Sequence, residues 1–265
     1  MKRPLLALGL MAALAGCTQK VATPPEAATP PAADTAPAAA TAQPASDAAQ
    51  GPATPEPAAD ASATVTAQPL AGHWQEGKNY QLILPPQPTS ADPGQVEIIE
   101  FLWLGCPHCY ELNPYVEAWK KKLPPYVKFV QEHVMWEGRT APDARLFYTL
   151  EALGRDDLVP KVFDEVQVRR KGADLVGNSE AETQQLQLAF AVANGISAED
   201  FKGTSSGFAV STRLQHANEL TRAYRVELVP NFFVNGKYRT DVEMAGGPKE
   251  LIQLLTDLAA SEKKH

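Results

Sequence analysis

Val96-Glu97-Ile98-Ile99-Glu100-Phe101-Leu102 runs through Trp103-Leu104-Gly105 into Cys106-Pro107-His108-Cys109. The first seven residues are rich in β-branched and aromatic side chains and read as a buried strand. Two cysteines spaced by two residues, after a strand and at the start of a helix, read as a redox dithiol. Proline suits a first helical position, because the N–H it lacks would have no partner there. The helix is expected from Pro107 to about Lys122, with Leu112, Val116, Trp119 and Leu123 turned to the core at helical spacing. Pro114 lies inside it and should kink it. The competing reading of Cys106 and Cys109 is half a zinc site, but such a site takes four ligands and no second pair follows.

Outward from this stretch, Tyr80 to Leu84 reads as a short strand ending at Pro85-Pro86, and Val127 to Val134 as another. From about Ala141 to Ala209 the pattern turns helical, clearest over Asp143–Leu153, Asp157–Val168 and Ala181–Ala193. Strand character returns at Phe232-Phe233-Val234. Asn235-Gly236 then marks a hairpin turn, since both residues tolerate positive φ. Lys237 to Arg239 is the return strand, and Pro248 to Ser261 a closing amphipathic helix.

The other end of the 265-residue chain has a different character. Lys2 and Arg3 precede an apolar run from Leu5 to Leu14, too short to span a bilayer and suited to an export signal. It closes on Leu14-Ala15-Gly16-Cys17, which resembles the lipobox of bacterial lipoproteins; the plainer reading is a signal peptide with Cys17 incidental. The resemblance implies cleavage before Cys17 and lipid on its sulfur and new amino group. From Thr18 to Pro69 there is no Leu, Ile, Phe, Tyr or Trp, and prolines interrupt the alanine runs. Such a segment cannot bury enough apolar surface to offset the entropy of ordering, and reads as a disordered tether. Export places Cys106 and Cys109 in an oxidising compartment. A formal charge of −7 argues against nucleic acid as a partner.

The ordered set of Gly77-Lys78-Asn79-Tyr80, Glu100-Phe101, Cys106-Pro107-His108-Cys109-Tyr110, Lys120-Lys121-Lys122-Leu123-Pro124, His133-Val134, Val229-Pro230 and Phe233-Val234-Asn235-Gly236-Lys237-Tyr238 resembles the DsbA family of periplasmic thiol:disulfide oxidoreductases. The resemblance implies an α/β, thioredoxin-like fold with an inserted all-helical domain. The expected parts are a signal peptide over 1–16, lipidated cysteine and tether over 17–70, and thioredoxin-like segments over 71–138 and 212–265 around a helical insertion over 139–211. It also implies a cis proline at Pro230 beside the dithiol, with the backbone of Val229 pairing with an extended substrate chain. The implied partners are newly exported proteins with free thiols and a DsbB-like, quinone-linked membrane oxidase. No cofactor is expected, and a monomer is. The location is the periplasm of a Gram-negative bacterium, and Thr18 after Cys17 favours the outer membrane over the inner. Two positions depart from the pattern: Asn113 stands where some members carry a glutamate, and Gln131 where they carry a lysine.

In thiol–disulfide exchange a thiolate attacks a disulfide sulfur, and the lower-pKa thiol leaves faster. Cys106, at the helix amino terminus, is expected to be the exposed, reactive sulfur, its thiolate stabilised by free N–H groups and by His108. Cys109, one turn on, should be more buried and re-form the disulfide. Glu100 interrupts an apolar strand and shares a face with Ile98 and Leu102. It is either a proton relay for Cys109 or an ordinary acid at a wet edge. The function expected is donation of the Cys106–Cys109 disulfide to exported proteins. The rivals are a reductase or isomerase, and a tethered chaperone or metal-delivery module.

Overall fold

The computed structural model describes residues 74–138, 140–168 and 175–263. The expected signal peptide, Cys17 and the tether lie outside the described residues. One mixed sheet forms the frame: β1 (Gln81–Leu82), β2 (Val96–Leu102), β3 (Val127–His133), β4 (Asn231–Val234) and β5 (Tyr238–Thr240), in the order β1-β5-β4-β2-β3. β2 runs parallel to β3, with Glu100 opposite Gln131, and antiparallel to β4, with Glu100 opposite Phe232. All seven residues of β2 are buried. A strand covered on both faces reads as a continuous apolar run, so the two glutamates in it stand out.

A parallel pair needs a crossover, and α1 (Pro107–Lys120) supplies it between β2 and β3. It ends two residues earlier than expected, because Leu123 precedes Pro124 and proline disfavours helical φ/ψ in the residue before it. Pro114 sits inside α1 without ending it. Ile98 of β2 packs with Leu112, Val116 and Trp119 of α1 and with Leu251, Leu254, Leu255 and Leu258 of α8 (Pro248–Lys263). On the other face, Ile99 and Phe101 pack with Phe233, Tyr224 and Val226. Period-two alternation along β2 thus feeds two separate cores.

Between β3 and β4 the chain forms α2 (Ala141–Ala152), α3 (Val159–Gln167), α4 (Glu180–Ala193), α5 (Ala198–Ser205) and α6 (Phe208–Ala223). Ser179 and Ser197 cap α4 and α5, each accepting a bond from the backbone N–H three residues on. The expected boundary at 211/212 falls inside α6, which continues to Ala223. No glycine or proline interrupts that stretch, and Val210, Ala217 and Thr221 bury one face of it. A short α7 (Val242–Ala245), capped by Asp241, was not evident in the sequence, since one turn leaves no periodicity to read. β1 is shorter than expected because the chain turns away at Leu84-Pro85-Pro86, where proline offers no ladder donor.

Buried polar groups tie the helices to the sheet. Arg213 of α6 reaches Glu132 of β3 at 3.1 Å and Glu151 of α2 at 3.3 Å, with its guanidinium 4.8 Å from the centre of the Tyr148 ring. The Tyr148 hydroxyl donates to Glu132 and accepts from the His133 N–H. A buried carboxylate so surrounded is compensated, and removing one partner would strand the rest.

The β4–β5 turn shows the local chemistry expected of Asn-Gly: Asn235 and Gly236 have φ of 51° and 65°. A methyl group added at Gly236 would lie 2.0 Å from the Gln87 carbonyl oxygen, whereas one at Gly154, also at positive φ, meets nothing within 4 Å. Gly154→Ala is expected to cost about 1 kcal/mol of stability, from backbone strain alone. Gly236→Ala adds a backbone clash and should cost clearly more, about 2–4 kcal/mol by urea denaturation. Equal losses for the two would contradict this reading of the turn.

Candidate active site

Cys106 is the cap of α1, in extended conformation (φ −89°, ψ 120°), with Pro107 as the first helical residue. Both cysteines are free thiols here. Cys106 is 7% exposed and Cys109 1%. The expectation of an exposed Cys106 is therefore corrected: it is the less buried of two covered sulfurs. Cover comes from the 229–230 segment, whose Val229–Pro230 peptide bond is cis. The Cys106 thiol donates to the Val229 carbonyl at 3.5 Å. The start of α1 and the loop before β4, 123 residues apart in the sequence, thus meet at the sulfur.

Cys106 has its pKa lowered from 9.0 to about 6. The largest cause is the hydrogen bond from the Cys109 thiol; burial opposes it; the N–H groups of Cys109 and His108 and then the charge of His108 assist. The charge of His108, expected to assist the helix N–H groups, is the smallest of these. Its side chain is 79% exposed and lies 3.5 Å from Glu111, so solvent and a carboxylate both weaken its field at the sulfur. The sequence reading missed Cys109 as donor, because that requires knowing that the second thiol stays protonated. It does: burial first, then the Cys106 hydrogen bond and charge, push Cys109 well above 9.0.

Glu100 is 2% exposed, and burial raises its pKa to about 7. Its Oε2 accepts from the Gln131 side-chain amide at 2.7 Å. The Gln131 carbonyl oxygen accepts in turn from Lys120 Nζ at 3.3 Å, and Lys120 also bonds Glu117 at 2.8 Å. The lysine missing from β3 is thus supplied by α1, one amide removed from the carboxylate. Lys120 entered the sequence reading only as part of the Lys120-Lys121-Lys122 run, with no role at the site. Its spacing of four and eleven residues from Val116 and Cys109 on one helical face is the signal that could have found it. The charge of Glu100 also raises the pKa of Cys109, as the smallest of its causes.

The loop into α1 is fixed from three sides. The Leu104 N–H donates to His133 Nε2 at 3.3 Å, and the Leu104 carbonyl accepts from Gln167 of α3 at 3.1 Å. The Trp103 indole N–H donates to Asp143 of α2 at 2.6 Å. His133 is fully buried with its pKa lowered to about 4, so it is neutral and accepts at Nε2. Phe232 and Phe233 are wholly in the cores. Two cavities flank these elements. The larger, about 850 Å³, lies among Trp136, Arg145, Gln187 and Arg222 and touches neither cysteine. The smaller, about 330 Å³, is lined by His108, Leu112, Val229 and Pro230. The chemistry favours the smaller one, because only it opens beside the dithiol.

This arrangement is shared with proteins of known type. Over 194 residues the chain is 34% identical to the thiol:disulfide interchange protein DsbA of Pseudomonas aeruginosa, spanning 73% of this chain and 88% of the relative. The chain belongs to the DsbA family. The corresponding protein of Pseudomonas syringae is 35% identical over 191 residues, 71% of this chain and 85% of that one. The crystal structure of Pseudomonas aeruginosa DsbA superimposes with a TM-score of 0.65 at 33% identity, covering 72% of this chain and 95% of that one. The fold is accordingly thioredoxin-like, and the DsbA activity is that of a protein-disulfide oxidoreductase of the periplasm. Residues 1–18 match the pattern described as a prokaryotic membrane lipoprotein lipid attachment site.

Two measurements test this geometry. Cys109→Ala should raise the pKa of Cys106, followed by thiolate ultraviolet absorbance, more than His108→Ala does; His108→Ala should shift it by less than about one pH unit. Because Glu100 has its pKa raised by folding, its contribution is favourable at low pH and is lost as pH rises from about 4.5 through about 7. Glu100→Gln should therefore stabilise the protein above pH 7, by up to about 3 kcal/mol, and the gain should vanish near pH 4. A gain independent of pH would show that burial of the carboxylate is not its source.

Proposed function

We propose that this chain donates the Cys106–Cys109 disulfide to exported proteins while held at a membrane by lipid on Cys17. A substrate thiolate attacks Cys106 Sγ. The Cys106–Cys109 bond breaks, a substrate–Cys106 mixed disulfide forms, and Cys109 leaves with the electron pair. Cys109, with its high pKa, takes a proton, and Glu100, with a pKa of about 7, is the nearby donor. A second substrate thiolate attacks the substrate sulfur of the mixed disulfide and expels Cys106 as a thiolate. Two electrons have then passed to the protein, and a DsbB-like, quinone-linked membrane oxidase removes them.

The single observation carrying this reading is the lowered pKa of Cys106 beside a protonated Cys109. A thiol whose folded pKa is depressed stabilises the reduced protein above the unfolded pKa of 9.0, and that stabilisation is lost as pH falls through about 6. A stabilised reduced state makes the oxidised state a stronger oxidant, a coupling for which the founding member of this family is itself the reference case. It favours the oxidase over the reductase reading. Pro107 pre-sets the first helical turn that carries these amides. Val229 and Pro230 present backbone to an extended substrate strand beside Cys106. The protein acts as a monomer, and Thr18 after Cys17 directs it to the outer membrane.

The oxidised chain mixed with reduced ribonuclease should restore ribonuclease activity, one chain losing its Cys106–Cys109 disulfide for each disulfide formed. Cys106→Ser and Cys109→Ser should each abolish the transfer. Stable binding of the reduced substrate without loss of thiols would replace the oxidase with a tethered binding module.

A further inference from the structure

The groove beside the dithiol has an unusual charge. Its floor is apolar, formed by Leu112, Pro230, Val242 and Pro248. Three carboxylates line it as well: Glu111 from α1, Asp241 at the cap of α7, and Glu243 within α7. No lysine or arginine is among its lining residues, and the one basic side chain, His108, lies 3.5 Å from Glu111. Glu111 and Glu243 are exposed. Two of these acids come from α7 and its cap and one from α1, so separate elements lining the groove carry the same sign.

We propose that this groove selects substrate segments that carry lysine or arginine beside the cysteine to be oxidised, and disfavours acidic ones. The inference rests on the oxidase reading above, in which the substrate cysteine must reach Cys106 Sγ. A chain doing so lies against Val229, and Val229 lines the groove. Its flanking residues are therefore held where the three carboxylates sum. Charge of one sign in a cleft with low-dielectric walls focuses its field, concentrating the opposite sign and repelling its own. The apolar floor adds contact without regard to sequence, and the rim supplies the discrimination. The backbone contact at Val229 cannot discriminate, since every residue offers the same amide.

The test uses the full oxidised chain and three peptides, each with one cysteine flanked by two lysines, two glutamines or two glutamates. Flanking charge alters the ionisation of a peptide thiol by itself. Each rate is therefore divided by that peptide's rate with a small neutral disulfide. The expected normalised ratio of lysine to glutamate peptide is on the order of tenfold at low ionic strength. It should fall toward one at about 0.5 M salt, where screening acts within a few ångströms. In the double variant Glu111→Gln, Glu243→Gln the ratio should drop at least about threefold. A ratio near one at low salt, with all peptides oxidised, overturns the charge selection and leaves the oxidase reading standing. So does a ratio that persists unchanged in the double variant. Failure to oxidise any peptide overturns both.

Discussion

Everything in this protein that bears on chemistry depends on negative charge at one sulfur, Cys106 Sγ, being stabilised by neutral donors. The strongest of these is the thiol of Cys109, and the next are the amide N–H groups at the start of α1. Neutral donors act at contact distance and are hardly screened by salt or solvent, whereas an exposed imidazolium is. The arrangement also sorts the two cysteines. The sulfur that receives the hydrogen bond ionises, and the one that gives it does not. A single hydrogen bond thereby sets both the leaving group and the group that must be protonated during turnover.

Holding that geometry occupies much of the fold. Leu104, two residues before the cap, is fixed by His133 of β3 on its N–H and by Gln167 of α3 on its carbonyl. Trp103 is anchored to Asp143 of α2. The core containing both cysteines is the one that α2 to α6 build, with Leu146, Tyr148, Phe163 and Phe201 among its members. The helices between β3 and β4 are therefore part of the wall that keeps water from Cys109. The half-buried Arg213, bonded to the buried Glu132 and to Glu151, holds α2 and α6 against the sheet.

The buried carboxylate shows a different solution to a common problem. A charged Glu100 inside β2 needs a compensating partner, and the partner seen here is an amide, Gln131, with Lys120 behind it. An amide donates one good hydrogen bond and no net charge, so burial still governs and the carboxyl titrates near neutrality. A group that titrates there can give and take a proton in each cycle. The distant lysine trims the burial effect without abolishing it.

Strand β2, the dithiol, the start of α1 and the Asn235-Gly236 turn were legible because each is a local matter: alternation, spacing and the backbone preferences of proline and glycine suffice. The extent of α6, the one-turn α7 and the early end of α1 were not, since helix ends answer to packing and capping as much as to composition. At the site, sequence alone marked the two sulfurs and determined where the helix begins; it left open whether Glu100 is buried or at a wet edge. Only the tertiary structure decided that Val229 covers Cys106, that Lys120 rather than a strand lysine serves Glu100, and that Cys109 outweighs His108. The physical reason is distance. Those three facts join residues on separate elements, and the strength of a hydrogen bond or a charge follows separation in space, about which separation in sequence is silent.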